Sequence, residues 1–172
     1  MDAPSQSGTP VIHLHKGDLP ADLTFTDAVA VDSETQGLNL SRDRLCVVQL
    51  SAGDGVCHLV QIAAGQTSAP NLQALMEDAA VTKIFHYARF DIAALKRWLN
   101  IDCTPVYCTK IASKMVRTYT DGHGLKDVVR ELVGVELDKQ QQSSDWARDE
   151  LSPAQQGYAA NDVLYLHRVR AA

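Results

Sequence analysis

The chain is short of positive charge. Sixteen lysines and arginines stand against twenty-one aspartates and glutamates in 172 residues, a net charge of −5, and the basic residues are little clustered. Coating a long nucleic acid non-specifically rests on many basic contacts to phosphates, so this balance argues against that class. An enzyme that handles a short anionic substrate through metal ions stays open. Also lacking is any apolar run near the roughly 18 to 20 residues a membrane helix needs. Residues 1–10 have no basic start and no apolar block, so no secretory signal is expected there. Cys46, Cys57, Cys103 and Cys108 have neither CxxC spacing nor the density of a disulfide framework. They predict reduced, mostly buried thiols and a cytoplasmic location. Internal repeats and low-complexity segments are missing too.

What is present alternates in type. Residues 1–10 are small and polar and read as a disordered tail, followed by one domain over 11–172. Strands are expected at Val11–His15, Ala28–Glu34, Leu45–Ser51 and Val56–Ile62, from short β-branched runs. The loop Ala52-Gly53-Asp54-Gly55 suits a hairpin, so the three strands from Ala28 predict an antiparallel meander. Helical spacing follows at Asn71–Ala79, with Leu72, Leu75 and Met76 on one face. A strand at Thr82–His86, a helix at Phe90–Leu99 and a strand at Val106–Thr109 come next. Helices are then expected at Lys110–Val116 and Leu125–Val133, the latter closed by Gly134. Lys139–Asp145 reads as a loop. Ser152, Pro153 and Gln155 make a capping box for a last helix running to the chain end. Strands followed by alternating helix and strand predict an α/β fold, a mixed sheet flanked by helices.

Four carboxylates stand out. Asp32 and Glu34 close an apolar strand, two residues apart and so on one face, roughly 6.5 to 7 Å apart along it. Taken alone, they also suit a solvated strand end. Asp91 opens a helix, where negative charge is favoured. Tyr158 and Asp162 are four apart and share a helix face among small and apolar neighbours. A buried aspartate is costly unless paired or holding a metal. Together the four acids are a set of hard oxygen ligands for Mg²⁺ or Mn²⁺. Two such ions about 3.5 to 4 Å apart support in-line displacement at phosphorus.

The segments V-D-S-E-T-Q-G-L (31–38), H-Y-A-R-F-D (86–91) and Y-A-A-N-D (158–162) resemble the three exonuclease motifs of the DEDD superfamily. Tyrosine four residues before the last aspartate is similar to the DEDDy subgroup that holds ribonuclease D. Stretches such as DRLCVVQLS, RTYTDGHGLK and KQQQSSDWA resemble the nanoRNase C family of dinucleases. This likeness spans about Val11 to Arg170. It departs at Tyr87 and Ala88, where the superfamily often has asparagine, and at the end, since those relatives continue for a few tens of residues.

The resemblance implies a ribonuclease H-like sheet (an antiparallel three-strand meander plus parallel strands) and two divalent cations, Mg²⁺ or Mn²⁺. It implies that Asp32 bridges the ions, that Glu34 and Asp162 complete one shell, and that Asp91 serves the other. Tyr158 would orient the attacking water, and Leu38 would wedge between two bases. From the residues alone, Leu38 is an ordinary packed leucine. His86 is implied in substrate contact, beside its reading as a core histidine. Lys139, Ser144 and Trp146 are implied to face substrate, although Trp146 equally suits packing on the last helix. Arg117, Lys126 and His123 are further phosphate candidates. His13, His15 and His58 have no task.

The leading expectation is a 3′-to-5′ exoribonuclease on very short RNA, preferring dinucleotides and releasing 5′-mononucleotides. The alternatives are a ribonuclease D-like exonuclease on longer RNA or DNA and a non-catalytic nucleic-acid-binding module. Resemblance also implies a homo-octamer and no membrane partner.

Overall fold

The computed structural model describes residues 8–172, so the tail expected at residues 1–10 falls mostly outside the described residues. Its elements are β1 (Val11–Lys16), β2 (Ala28–Thr35), β3 (Leu45–Ser51), β4 (Val56–Gln61), α1 (Pro70–Glu77), β5 (Thr82–Phe85) and α2 (Ala88–Leu99). β6 (Val106–Cys108), α3 (Thr109–Val116), α4 (Leu125–Val133), α5 (Pro153–Leu164) and α6 (Leu166–Ala171) complete them. One six-stranded sheet runs in the order β1-β4-β3-β2-β5-β6. β2, β3 and β4 form the expected antiparallel meander. β5 pairs parallel to β2, β6 parallel to β5, and β1 parallel to β4 at the far edge. The α/β expectation of a mixed sheet flanked by helices therefore holds.

Strand alternation divides the core between the two faces. Val29, Val31, Val48, Leu50 and Val60 pack with Leu72 and Met76 of α1 and with Ala94, Leu95 and Leu99 of α2. Ala30, Val47, Cys57, Leu59 and Ile84 turn the other way, toward Ala159, Ala160, Val163 and Leu164 of α5. Every residue of β3, the strand between β4 and β2, is buried. In β5 even Lys83 is wholly buried. Its Nζ donates to the carbonyls of Asp78, Val81 and Thr104 at 2.6, 2.7 and 2.8 Å, so each ammonium proton has an acceptor.

The ends of the helices follow local chemistry. Ser152 and Gln155 make both bonds of the capping box of α5, and Gly134 closes α4 with φ 76°. α1 begins with no cap from its own N-cap residue. Instead the Asp18 carboxylate accepts from the backbone N–H of Asn71 and Leu72, each at 2.8 Å. The single last helix expected from the sequence is two helices, broken at Tyr165, where φ is −108°. The break turns Val169 onto a separate cluster with Val128 and Val129 of α4, which a straight helix along the sheet would not reach.

In the loop between β3 and β4, Gly53 has φ 78°, and a Cβ there would lie 2.7 Å from Cγ of His167. Gly53→Ala combines a left-handed backbone, costing roughly 1 to 2 kcal/mol, with that clash. Urea unfolding should show a loss of at least about 1 kcal/mol.

Candidate active site

The alternation that builds the core also sorts the acids. Ala30 faces α5, so Asp32 and Glu34 do as well, and Asp162 comes down from α5 to meet them. Oxygen atoms of Asp32, Glu34 and Asp162 all lie within 4.8 Å of one another. Ser33 points to the opposite face, where α2 packs, and its hydroxyl donates to Oδ1 of Asp91 at 2.5 Å. Asp91 is buried in the first turn of α2. Only His86 and Tyr87 separate β5 from α2, and Tyr87 takes a left-handed φ of 67° to make the turn. That abrupt connection sets Asp91 beside the end of β2. On β3, Gln49 stands opposite Asp32 and donates from Nε2 to Oε1 of Glu34 at 3.3 Å.

Above the acids lies a cleft of about 660 Å³, a size typical of small-ligand sites. Leu38 and Phe90 form one wall, Tyr158 and Trp146 another, and Lys110, Lys126 and Lys139 bring positive charge to the rim. Leu38 is 87% exposed, so it is not the ordinary packed leucine that its sequence context suggests.

Residues 17–172 match the DNA_pol_A_exo1 family, a 3'-5' exonuclease. The chain belongs to this 3'-5' exonuclease family. Among curated relatives, ribonuclease D of Acidiphilium cryptum is 38% identical over 141 residues, which is 82% of this chain and 36% of that protein. The chain thus spans little more than a third of the length of the ribonucleases D it matches. Brucella melitensis NrnC is similar at 58% identity with a TM-score of 0.90, over 94% of this chain and 79% of the other. Structures of that protein bound to pGG and with bound Mg²⁺ align at 56% identity. Escherichia coli RNase D aligns at 29% identity and a TM-score of 0.74, over 85% of this chain and 38% of the other. The resemblance to DEDD exonucleases and to nanoRNase C is borne out.

In this exonuclease domain the acids perturb one another. Burial, then the charges of Asp91, Asp162 and Glu34, hold the Asp32 carboxyl well above the usual carboxylate range. Burial with Asp162 and Asp91 pushes Glu34 up to about 9. Asp162 rises to about 7 and Asp91 to about 6, both chiefly through burial, with the Ser33 hydroxyl holding Asp91 down. Tyr158 is likewise pushed above its ordinary value by burial and by Asp162, Glu34 and Asp32, so its phenol stays protonated. An all-oxygen donor set this close, and this costly to ionise alone, fits hard divalent cations such as Mg²⁺.

Other expected contacts change. His86 lines the cleft, but its Nδ1 bonds the Thr109 hydroxyl at 2.9 Å and its Nε2 the His123 carbonyl at 3.0 Å. Both nitrogens are engaged, and burial pulls the ring down to about 4, so His86 buttresses the wall as a neutral ring and has no free nitrogen for substrate. Trp146 is 2% exposed and tilts against Tyr158 with ring centres 6.0 Å apart. Too little of it is open for base stacking; it backs the tyrosine. The Ser144 hydroxyl accepts from Nε2 of Gln155 at 2.8 Å, which ties the Lys139–Asp145 loop to the cap of α5. Arg117 is buried among Glu131, the Ser113 hydroxyl and the Gly122 carbonyl, and so is not a phosphate contact. His123 bonds Ser113 through Nδ1 at 2.9 Å. Lys126 and Lys139 do reach the rim.

Sequence reasoning passed over Ser33 and Gln49. A signal existed for both: Ser33 is the out-of-phase residue between two acids, and Gln49 is polar inside an otherwise apolar buried strand. Phe90 lies inside the motif segment 86–91 but carried no assigned role, and Lys110 carried none either.

Raised carboxyl pKa values fix a sign. Protonated acids are tolerated in the fold and ionised ones are not, so their contribution to metal-free stability is present at acid pH and lost as pH rises through the folded values of about 6, 7 and 9. In chelator, the melting temperature should fall between pH 5 and pH 9. Excess Mg²⁺ should restore it at pH 9 in the parent and much less in Asp32→Asn. A metal-free melting temperature that rises with pH would contradict this electrostatic reading.

Proposed function

We propose that this exonuclease domain, residues 11–172, is a metal-dependent 3′-to-5′ exoribonuclease whose preferred substrates are dinucleotides. The observation that carries the length preference is Leu38, a large apolar side chain 87% exposed at the mouth of the acidic cleft. Exposure of that kind suits an apolar surface kept for a ligand, here the faces of two adjacent bases. Asp32 would be shared by two divalent cations, Glu34 and Asp162 would complete one shell, and Asp91 would serve the other. Such cations supply Lewis acidity at phosphorus and a more reactive water.

The protein's own groups do the rest. The protonated Tyr158 phenol, held by Trp146 behind it, orients the attacking water in line with the bond to the leaving 3′ oxygen. Attack at phosphorus breaks that bond and releases a 5′-mononucleotide. Lys110, Lys126 and Lys139 offset phosphate charge at the rim. Beyond these three, the cleft offers little to a longer polyanion. Four thiols outside any disulfide suit a cytoplasmic location. Among the described residues, no helix is long and apolar enough to cross a membrane. Exposed Ile111, Met115, Val116 and Tyr119 on and after α3 support self-association, with the octamer implied by resemblance as the expected state.

Tyr158→Phe removes only the hydroxyl. Turnover of a dinucleotide with Mn²⁺ should fall roughly 10²- to 10⁴-fold with KM little changed. Near-normal turnover would make the tyrosine structural.

Incubation with 5′-phosphorylated RNAs of two to twenty nucleotides tests the substrate. The expected kcat/KM for the dinucleotide exceeds that for a ten-mer by at least about tenfold, or roughly 1.4 kcal/mol. Leu38→Ala should narrow the gap. Equal efficiency on the ten-mer would favour a ribonuclease D-like enzyme instead, and no cleavage of any RNA would favour a binding module.

A further inference from the structure

Three histidines lie away from the cleft, and the proposed chemistry uses none of them. His13 and His15 are two apart on β1 and leave the sheet on one face, while Ile12 and Leu14 turn toward the α5 side. His58 stands directly across from His13 on the parallel neighbour β4. The three ring centroids form a triangle, with His58 5.2 Å from His13 and 5.3 Å from His15, and His13 6.5 Å from His15. Phe25 closes one side with its edge toward His58 at 6.0 Å. Nε2 of His15 and Nδ1 of His58 are 3.0 Å apart. Adding two ring radii to that separation nearly spans the 5.3 Å between centroids, so the two rings meet edge to edge, nitrogen toward nitrogen.

This is a placement that transition metals use. Two residues alternate on one strand about 6.5 to 7 Å apart, and a third sits on the adjacent strand about 4.8 Å away. Nitrogens bound at about 2.0 to 2.1 Å to a tetrahedral ion are about 3.3 Å from each other, only a few tenths more than the His15–His58 separation. We propose that His13, His15 and His58 form a second metal site, for a zinc-class transition-metal ion. The His15 and His58 rings turn out of their direct hydrogen bond until both nitrogens aim at one ion beside the line that joins them. His13, the exposed member, swings its ring inward as third ligand, and water takes the fourth position.

Imidazole donors favour Zn²⁺, Cu²⁺ or Ni²⁺ over Mg²⁺, which keeps this site distinct in chemistry from the carboxylate cleft. Burial and mutual repulsion lower the proton affinity of His15 and His58, leaving neutral rings that can ligate near pH 7. The consequence is mechanical. β1 is an edge strand paired only to β4, and a shared ion would tie the two together across the sheet.

The test uses the full chain carrying Asp32→Asn and Asp162→Asn, so that the cleft no longer competes for metal. Titration with Zn²⁺ by calorimetry should show one ion per chain with a Kd near or below about 1 μM. Zn²⁺ should raise the melting temperature, and Co²⁺ should give the intense visible absorption of a tetrahedral site. His13→Gln, at the exposed position, and His58→Gln should each weaken binding at least about tenfold. They should also abolish the thermal shift, with circular dichroism showing the fold intact. Should His58→Gln not fold, His13→Gln alone decides. Absence of Zn²⁺ binding, or equal binding by the parent and the glutamine variants, would overturn the proposal.

Discussion

Two-residue alternation along β2 is the constraint on which the site depends. Val29 and Val31 anchor one face and Ala30 the other, so the strand cannot slip by one residue without burying its acids in the α2 core. Held in that register, Asp32 and Glu34 emerge on the α5 side and Ser33 on the α2 side. Each helix then delivers one acid to its own side: Asp162 from α5, and Asp91 from α2 through the Ser33 hydroxyl. The strand end becomes the meeting point of two helices that never pack on each other's face of the sheet.

That geometry is bought with electrostatic strain. Four acids gather with the Gln49 amide and the Ser33 hydroxyl as side-chain hydrogen-bond donors, and lysines bring positive charge to the rim of the cleft. A cation between the oxygens removes the repulsion, which makes metal binding and the integrity of the site one property. Rigid supports keep the acids from relaxing apart. The capping box fixes the start of α5, His86 bridges Thr109 and the His123 loop, and Trp146 backs Tyr158.

Much of this was legible beforehand. The strand limits of β3 and the bounds of α4 follow directly from β-branched runs and from Leu125-to-Gly134 patterning. The motifs around Asp32, Asp91 and Tyr158 carried the family. Side chains whose surroundings come from distant segments were less legible. Arg117 reads as a phosphate ligand until Glu131 and Ser113 are seen to enclose it. Trp146 reads equally as a base platform and as packing on the last helix, until its burial against α5 decides for packing. Leu38 reads as core until the loop lifts it into solvent.

Local rules act over a few residues, so the sequence by itself determined element type, most element limits, the strand phase of Asp32, Ser33 and Glu34, and the four-residue spacing of Tyr158 and Asp162. Tertiary structure decided the rest: which face each helix covers, the break at Tyr165, the placement of β1 beside β4, and the partners that occupy each polar atom. The physical reason is the range of the interactions. Propensity and periodicity are written in neighbouring residues, whereas burial, pKa and hydrogen-bond satisfaction depend on groups that only the folded chain brings together.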